Sequence, residues 1–305
     1  MNPWPSLAPY GKTLSVKDGE LFYYDSEGNA DSTIDDDSQN AVPSKPAVML
    51  IHGLGDEADT WRHIFSPIAQ AGFRVIAPDL PGFGRSAWKG KISVKGHRDA
   101  VLRLIGETGA ANKENPAALI GSSLGAGIAE LIAFSRPELV KSLILIDGCF
   151  PVSGKTEKGF FLISLPFIGK NWYRGFRKNH DAARKSLYPY YGDFDAMSEA
   201  DKDFLRERVV ARVESPNQER GYLSTMRSMN HFISSQKKEM SRKLKNYSGK
   251  ISLLWGDKDN VFPAEKTKLF RSLYPKADSI TIPGGHLPHQ ERPQECVREI
   301  LRLLQ

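Results

Sequence analysis

The chain has 305 residues, 40% of them hydrophobic, a formal net charge of +6 and two cysteines. That length suits one large domain with an insertion and a sizeable core. No run of about 18 apolar residues occurs, so no membrane span is expected, and Cys149 and Cys296 make no disulfide framework, which points to a reduced, cytoplasmic setting.

Met1 to Pro5 lack a basic region followed by an apolar one, so no signal peptide is expected. Lys12 to Val16 and Glu20 to Tyr24 read as a hairpin closed by Lys17-Asp18-Gly19. Residues 25–45 are polar and acidic and read as a loose loop. Ala47 to Ile51 is an apolar run suited to the middle of a parallel sheet. A helix is expected over Thr60 to Ala71, a strand over Arg74 to Ala77 and a helix over His97 to Thr108. Pro116 to Ile120 is a further apolar run, followed by a helix over Ala126 to Phe134 and a strand over Ser142 to Ile146. After a long interruption come strand Ile251 to Trp255, helix Ala264 to Leu273, strand Ser279 to Ile282 and helix Gln294 to Leu304. Alternating strands and helices imply a parallel sheet with right-handed crossovers.

Gly121-Ser122-Ser123-Leu124-Gly125 sits where a strand turns sharply into a helix. It fits G-x-S-x-G, in which glycines on either side let a serine occupy a strained turn. Only Ser123 has glycine at both −2 and +2, so Ser123 is the candidate nucleophile and Ser122 its neighbour. A serine nucleophile needs a base and an acid to orient that base. Two later strands end in suitable turns: Gly256-Asp257-Lys258-Asp259 and Gly284-Gly285-His286. No Cys/His cluster has metal-ligand spacing, and neither G-x-G-x-x-G nor a P-loop occurs, so no cofactor and no metal are expected.

With His52-Gly53-Leu54-Gly55 and Asp79-Leu80-Pro81-Gly82-Phe83-Gly84-Arg85-Ser86 placed before the elbow, and Gly285-His286-Leu287-Pro288-His289-Gln290-Glu291-Arg292-Pro293 after it, the chain resembles the α/β-hydrolase superfamily. The likeness is to its capped, serine-nucleophile, esterase-like and epoxide-hydrolase-like branch. It covers most of residues 46–148 and 249–305. It implies an α/β-hydrolase fold: a mostly parallel central sheet flanked by helices, with a helical cap inserted after the sixth family strand. The core would comprise 1–149 and 249–305, and the cap 150–248. It also implies a catalytic triad of Ser123, Asp259 and His286, with an oxyanion hole from the backbone N–H groups of Leu54 and Leu124. Asp257 and Asp147 are alternatives for the acid, and His289 is a competitor for the base. His52 reads as structural, and His63, His97, His180 and His231 as surface or packing residues.

Relatives that open epoxides carry Asp at the elbow, so the serine here implies hydrolysis of a carboxylic ester or related acyl bond through an acyl-enzyme. C–C bond hydrolysis and perhydrolysis are alternatives, although the C–C hydrolases usually show Asn where Ser122 stands. Another class stays open: a small-molecule receptor that keeps the triad with little turnover. The expected partner is a small ester-like substrate, not nucleic acid.

Residues 150–248 match no named family motif. They are rich in aromatics, including Phe150, Phe160, Phe161 and Trp172, and include a helix-like stretch from Ser198 to Val213. The rings read either as glue to the sheet or as substrate contacts, with Phe161 and Trp172 the candidates for contact. Within 154–185 there are eight basic and two acidic side chains. That window reads as a solvated face, or alternatively as attraction for an anionic substrate or a lipid surface.

Overall fold

The computed structural model describes residues 1–27, 45–148 and 158–305. Most of the loop expected over 25–45 lies outside those residues. So do Cys149, Phe150 and the 149/150 boundary, and the side chain of Phe160 is not described.

An eight-stranded sheet forms the centre, in the order β1-β2-β4-β3-β5-β6-β7-β8. The strands are β1 (Gly11–Val16), β2 (Gly19–Asp25), β3 (Ala47–Ile51), β4 (Arg74–Pro78), β5 (Ala117–Ser122), β6 (Val140–Ile146), β7 (Lys250–Gly256) and β8 (Asp278–Ile282). β1 and β2 pair antiparallel, and β2 runs antiparallel to β4; every pairing from β4 through β3 to β8 is parallel. The innermost strands are apolar because both faces are covered. Met49, Ile51, Leu119, Leu143 and Leu253 point to one side, with Val101, Leu104, Ile128 and Ile132. Val48, Leu50, Ile120, Ile144 and Leu254 point to the other, with Phe65, Ile68, Ile300 and Leu303.

The helices of the sheet layers are α1 (Phe65–Gln70), α2 (Val94–Thr108) and α3 (Leu124–Ser135). Between β6 and β7 lie α4 (Lys158–Ser164), α5 (Pro166–Lys178), α6 (His180–Lys185), α7 (Glu199–Glu214) and α8 (Pro216–Asn246). α9 (Ala264–Leu273), α10 (Pro288–Glu291) and α11 (Pro293–Leu304) complete the chain. Among the described residues no helix is long and apolar enough to cross a membrane.

Three departures from expectation have a local reason. The helix expected over Thr60 to Ala71 is a 3₁₀ turn, Ala58–Trp61, followed by the short α1. Pro67 has no N–H to give the carbonyl four residues back, so one continuous helix cannot form there. α2 begins at Val94, not His97, because Ser93 caps it by accepting from Gly96 N at 3.0 Å. α8 runs 31 residues and was not anticipated. Its start is signalled by Ser215, whose side chain accepts from Gln218 N, and by Pro216 in the first turn. Its polar composition hides the stripe of Leu223, Met226, Phe232 and Met240 that it buries.

Candidate active site

Ser123 occupies the junction between β5 and α3 at φ 52°, ψ −114°, a conformation that costs a non-glycine residue on the order of 1–3 kcal/mol. It is held because Ser123 N donates to Ile146 O at 2.9 Å and α3 starts at the next residue. The flanking glycines are needed for closeness. A Cβ on Gly121 would lie 2.3 Å from Gly125 O, and one on Gly125 would lie 2.0 Å from Ile51 O. Ser123 is partly accessible. Ser122 is 1% exposed, and its hydroxyl has no hydrogen-bond partner.

The turn after β3 stands against this serine: a Cβ on Gly53 would be 3.3 Å from Ser123 Cβ and 4.0 Å from its Oγ. His52 braces the turn, with Nδ1 donating to Gly53 O (2.8 Å) and Nε2 accepting from Leu80 N (2.9 Å). Burial holds this imidazole below its usual pKa, which favours the neutral tautomer those two bonds require. Gln218, on α8, has its Nε2 donating to Gly55 O at 2.9 Å and its Oε1 accepting from Gly84 N at 3.0 Å. One buried amide thus ties α8 to the turns after β3 and β4.

His286 and Asp259 meet beyond the ends of β8 and β7. His286 Nδ1 donates to Asp259 Oδ2 at 3.0 Å, and the two residues are 2% and 5% exposed. Asp259 Oδ1 accepts from Val261 N (2.7 Å) and Phe262 N (2.9 Å), which fixes the carboxylate. His286 N donates to Tyr190 O at 2.8 Å, and its ring lies beside those of Phe262 and Tyr190. With Nδ1 donating, Nε2 is left to accept a proton. Asp257 does not reach the imidazole; it is exposed, and its Oδ1 accepts from Gly284 N.

Asp147 closes the gap between these pieces. It follows β6 at φ 43°, fully buried; its N donates to Leu254 O, and its Oδ1 accepts from Gly256 N at 2.9 Å. Its neighbour Gly148 stands against Ser123, since a Cβ there would be 2.4 Å from Ser123 O. One carboxyl oxygen of Asp147, one of Asp259 and one imidazole nitrogen of His286 all lie within 4.8 Å of one another.

The remaining histidines fill other roles. His289 contacts Thr60 Oγ1 at 2.9 Å and lies against Trp61, while His97 bonds Thr225 Oγ1 at 2.8 Å. His63 pairs with Asp201 and His180 with Glu214. Burial, reinforced by Arg62 and His286 at one and by His52 at the other, pushes His289 and His97 down to about 3. Both stay neutral in the fold but take up a proton near pH 6.5 when unfolded, so the unfolded chain binds more protons between about pH 3 and 6.5. Their contribution to stability is therefore full above pH 6.5 and is lost as pH falls toward 3. The expected result is an unfolding free energy that declines from about pH 7 to 4, with a shallower slope in His97→Asn and His289→Asn. Equal slopes in wild type and variants, read by denaturant titration, would remove this assignment.

Sequence reasoning passed over Gln218, Glu291 and a buried ionic cluster. Glu291 accepts from Gly285 N, Gly192 N and Asp193 N at 2.8–3.0 Å, so it fastens the turn carrying His286 to the segment before α7. Arg212 pairs with Asp56 and with Glu57 (2.7 Å), and Arg208 with Glu57 (3.1 Å), so α7 is bound to the chain just past the 53–55 turn. Gln218, Arg208 and Arg212 have no local sequence signal, because their partners lie far apart in the chain, whereas Glu291 stands six residues past Gly285, within the motif from Gly285 to Pro293.

Phe161 is 51% exposed on α4. Trp172 stacks on Tyr222 with centroids 5.8 Å apart, and the Tyr222 ring would meet a Cβ on Gly55 at 3.1 Å. In the basic window Lys170, Arg174 and Lys178 are exposed, whereas Arg177 donates to Val213 O and to Glu219.

Residues 46–293 match the model of the alpha/beta hydrolase fold family. The chain belongs to that family. Among this hydrolase's relatives, Lipase 1 of Psychrobacter immobilis is 24% identical over 287 residues, covering 93% of this chain and 80% of the lipase. Lipase 3 of a Moraxella species is 23% identical over 291 residues, covering 94% and 82%. A thermophilic esterase from Thermogutta terrifontis superposes with a TM-score of 0.73 at 18% identity, over 96% of this chain and 98% of the esterase.

Proposed function

We propose that this α/β-hydrolase is a serine hydrolase that cleaves carboxylic esters through an acyl-enzyme. The observation that carries the reading is a serine on a strained β5–α3 turn, with a buried His286–Asp259 pair on the same edge of the sheet. Ser123 Oγ attacks the ester carbonyl as His286 Nε2 takes its proton, and Asp259 holds the imidazole in the required tautomer. The backbone N–H groups of Leu54 and Leu124 receive the developing oxyanion, each worth about 3 kcal/mol of barrier by analogy with measured sites. His286 returns the proton to the leaving alcohol and then activates the water that frees the acid. Lipases and an esterase among the similar proteins support the ester class.

The helices of 150–248 serve as a cap over a core of 1–149 and 249–305. Arg208 and Arg212 on α7 and Gln218 on α8 are the anchors that support this reading. Turnover of a p-nitrophenyl ester panel of increasing acyl length tests the function, with intact mass spectrometry to capture an acyl adduct on Ser123. An adduct with turnover supports the ester reading. Binding of the esters without turnover would favour the small-molecule receptor instead.

Phe161 and Trp172 are the cap candidates for substrate contact. Trp172 backs Tyr222, which lies on the 53–55 turn, so Trp172→Ala is expected to shift the ratio of kcat/KM between short and long acyl esters. Phe161→Ala, on the surface, is expected to shift it less. A buried methylene contributes about 0.8 kcal/mol, close to fourfold per carbon until the pocket is full. An unchanged chain-length profile in Trp172→Ala would make that ring packing alone.

A further inference from the structure

We propose that Asp147 is held as a neutral carboxylic acid that donates its proton toward Asp259, and so positions and moderates the acid behind His286 without being that acid. This rests on the triad reading above. The two carboxyls approach in a buried site. Asp147 is fully buried and Asp259 nearly so, and their oxygens and an imidazole nitrogen of His286 fall within 4.8 Å of one another. The titratable groups facing Asp147 are Asp259, His286 and the buried thiol of Cys296 on α11. Two buried carboxylates this close cannot both keep their charge, so one proton belongs to the pair.

The hydrogen bonds decide where it resides. Asp259 has three donors, from Val261 N, Phe262 N and His286 Nδ1, all of which favour its ionised form. Asp147 has one, Gly256 N on Oδ1, and its buried Oδ2 has no other partner. Burial first, and then the charge of Asp259, drive the Asp147 carboxyl well above the usual carboxylate range. A proton on Asp147 Oδ2 gives that oxygen a use as a donor and relieves the repulsion.

The consequence reaches His286. If Asp147 were ionised, two negative charges would face the imidazole and raise its pKa, leaving less free base near neutrality. A neutral Asp147 leaves one charge, partly drawn off by a hydrogen bond. Asp147→Asn reproduces a neutral donor and acceptor of the same shape. Asp147→Ala removes the donor.

The test reads the His286 titration by NMR in the Ser123→Ala background, which needs no turnover, and the acid limb of kcat/KM in the active enzyme. Asp147→Asn is expected to leave the His286 titration near wild type, because the amide keeps a neutral donor of the same shape. Asp147→Ala is expected to move the His286 titration upward, because Asp259 then carries its full charge against the imidazole. A protonated-carboxyl C=O stretch should persist in wild type at about pH 8 and vanish in Asp147→Asn. No such band, or a His286 pKa lowered in Asp147→Asn as removal of a charge would require, overturns the proposal. A fall in kcat by orders of magnitude in Asp147→Asn would likewise overturn it and make Asp147 the acid. If Ser123→Ala keeps full activity, the triad reading fails instead, and the infrared band still reports on Asp147.

Discussion

Ser123→Ala is expected to remove ester hydrolysis almost completely, on the order of a millionfold in kcat by comparison with serine nucleophiles elsewhere. Ser122→Ala should retain a large share of activity. The contrast rests on two adjacent serines with opposite environments. Ser123 sits at φ 52° on the turn, its Cβ close to Gly53, and is partly accessible, whereas the Ser122 side chain is enclosed in the sheet. A strained backbone is stored at Ser123 and nowhere else in that turn, which is expected where a side chain must be aimed. Alanine at 123 removes Oγ without releasing the turn, because the bond from residue 123 N to Ile146 O is made by the backbone. Unfolding midpoints should therefore stay near wild type. Similar losses in both variants, with folding intact, would refute the assignment of the nucleophile.

Asp259→Asn is expected to lower kcat by about 10⁴, the loss seen when an amide replaces the acid of such a triad. An amide presents either an N–H₂ that opposes the Nδ1–H of His286 or an oxygen without full charge. The first outcome favours the tautomer that cannot accept from serine, and the second keeps the tautomer but stabilises the imidazolium less. Asp257→Asn should do far less, since Asp257 is exposed and its bond is to Gly284 N, a support of the turn and not of the imidazole. Steady-state kinetics on one ester, with circular dichroism to confirm folding, decides between them. A larger loss in Asp257→Asn than in Asp259→Asn would move the acid to Asp257.

Much of this site is legible in the linear chain because its parts are local. G-x-S-x-G encodes a turn that only glycine can flank, since the backbones of Gly121, Gly125 and Ile51 approach too closely for a Cβ. The strand runs read as buried because strands β3, β5 and β6 are covered on both faces. Spacing of Asp259 and His286 past two strand ends likewise places both on one edge of a parallel sheet. These features depend on a few consecutive residues, so composition and order carry them.

What only the tertiary structure decided depends on residues distant in sequence. Among Asp257, Asp259 and Asp147 the resemblance favours Asp259 by its place after Gly256; the bond from His286 Nδ1 and the burial of Asp259 and Asp147 are what the fold adds. The Asp147–Asp259 pair joins the end of β6 to the loop after β7, more than a hundred positions apart. Arg212 with Asp56 and Glu57, and Gln218 with Gly55 and Gly84, likewise join α7 and α8 to turns far upstream. α8 had a cap signal but no clear apolar period, and it is held by what it packs against. Hydrophobic burial and turn geometry are written locally, whereas the pairing of buried charges is settled only when the sheet brings strand ends together.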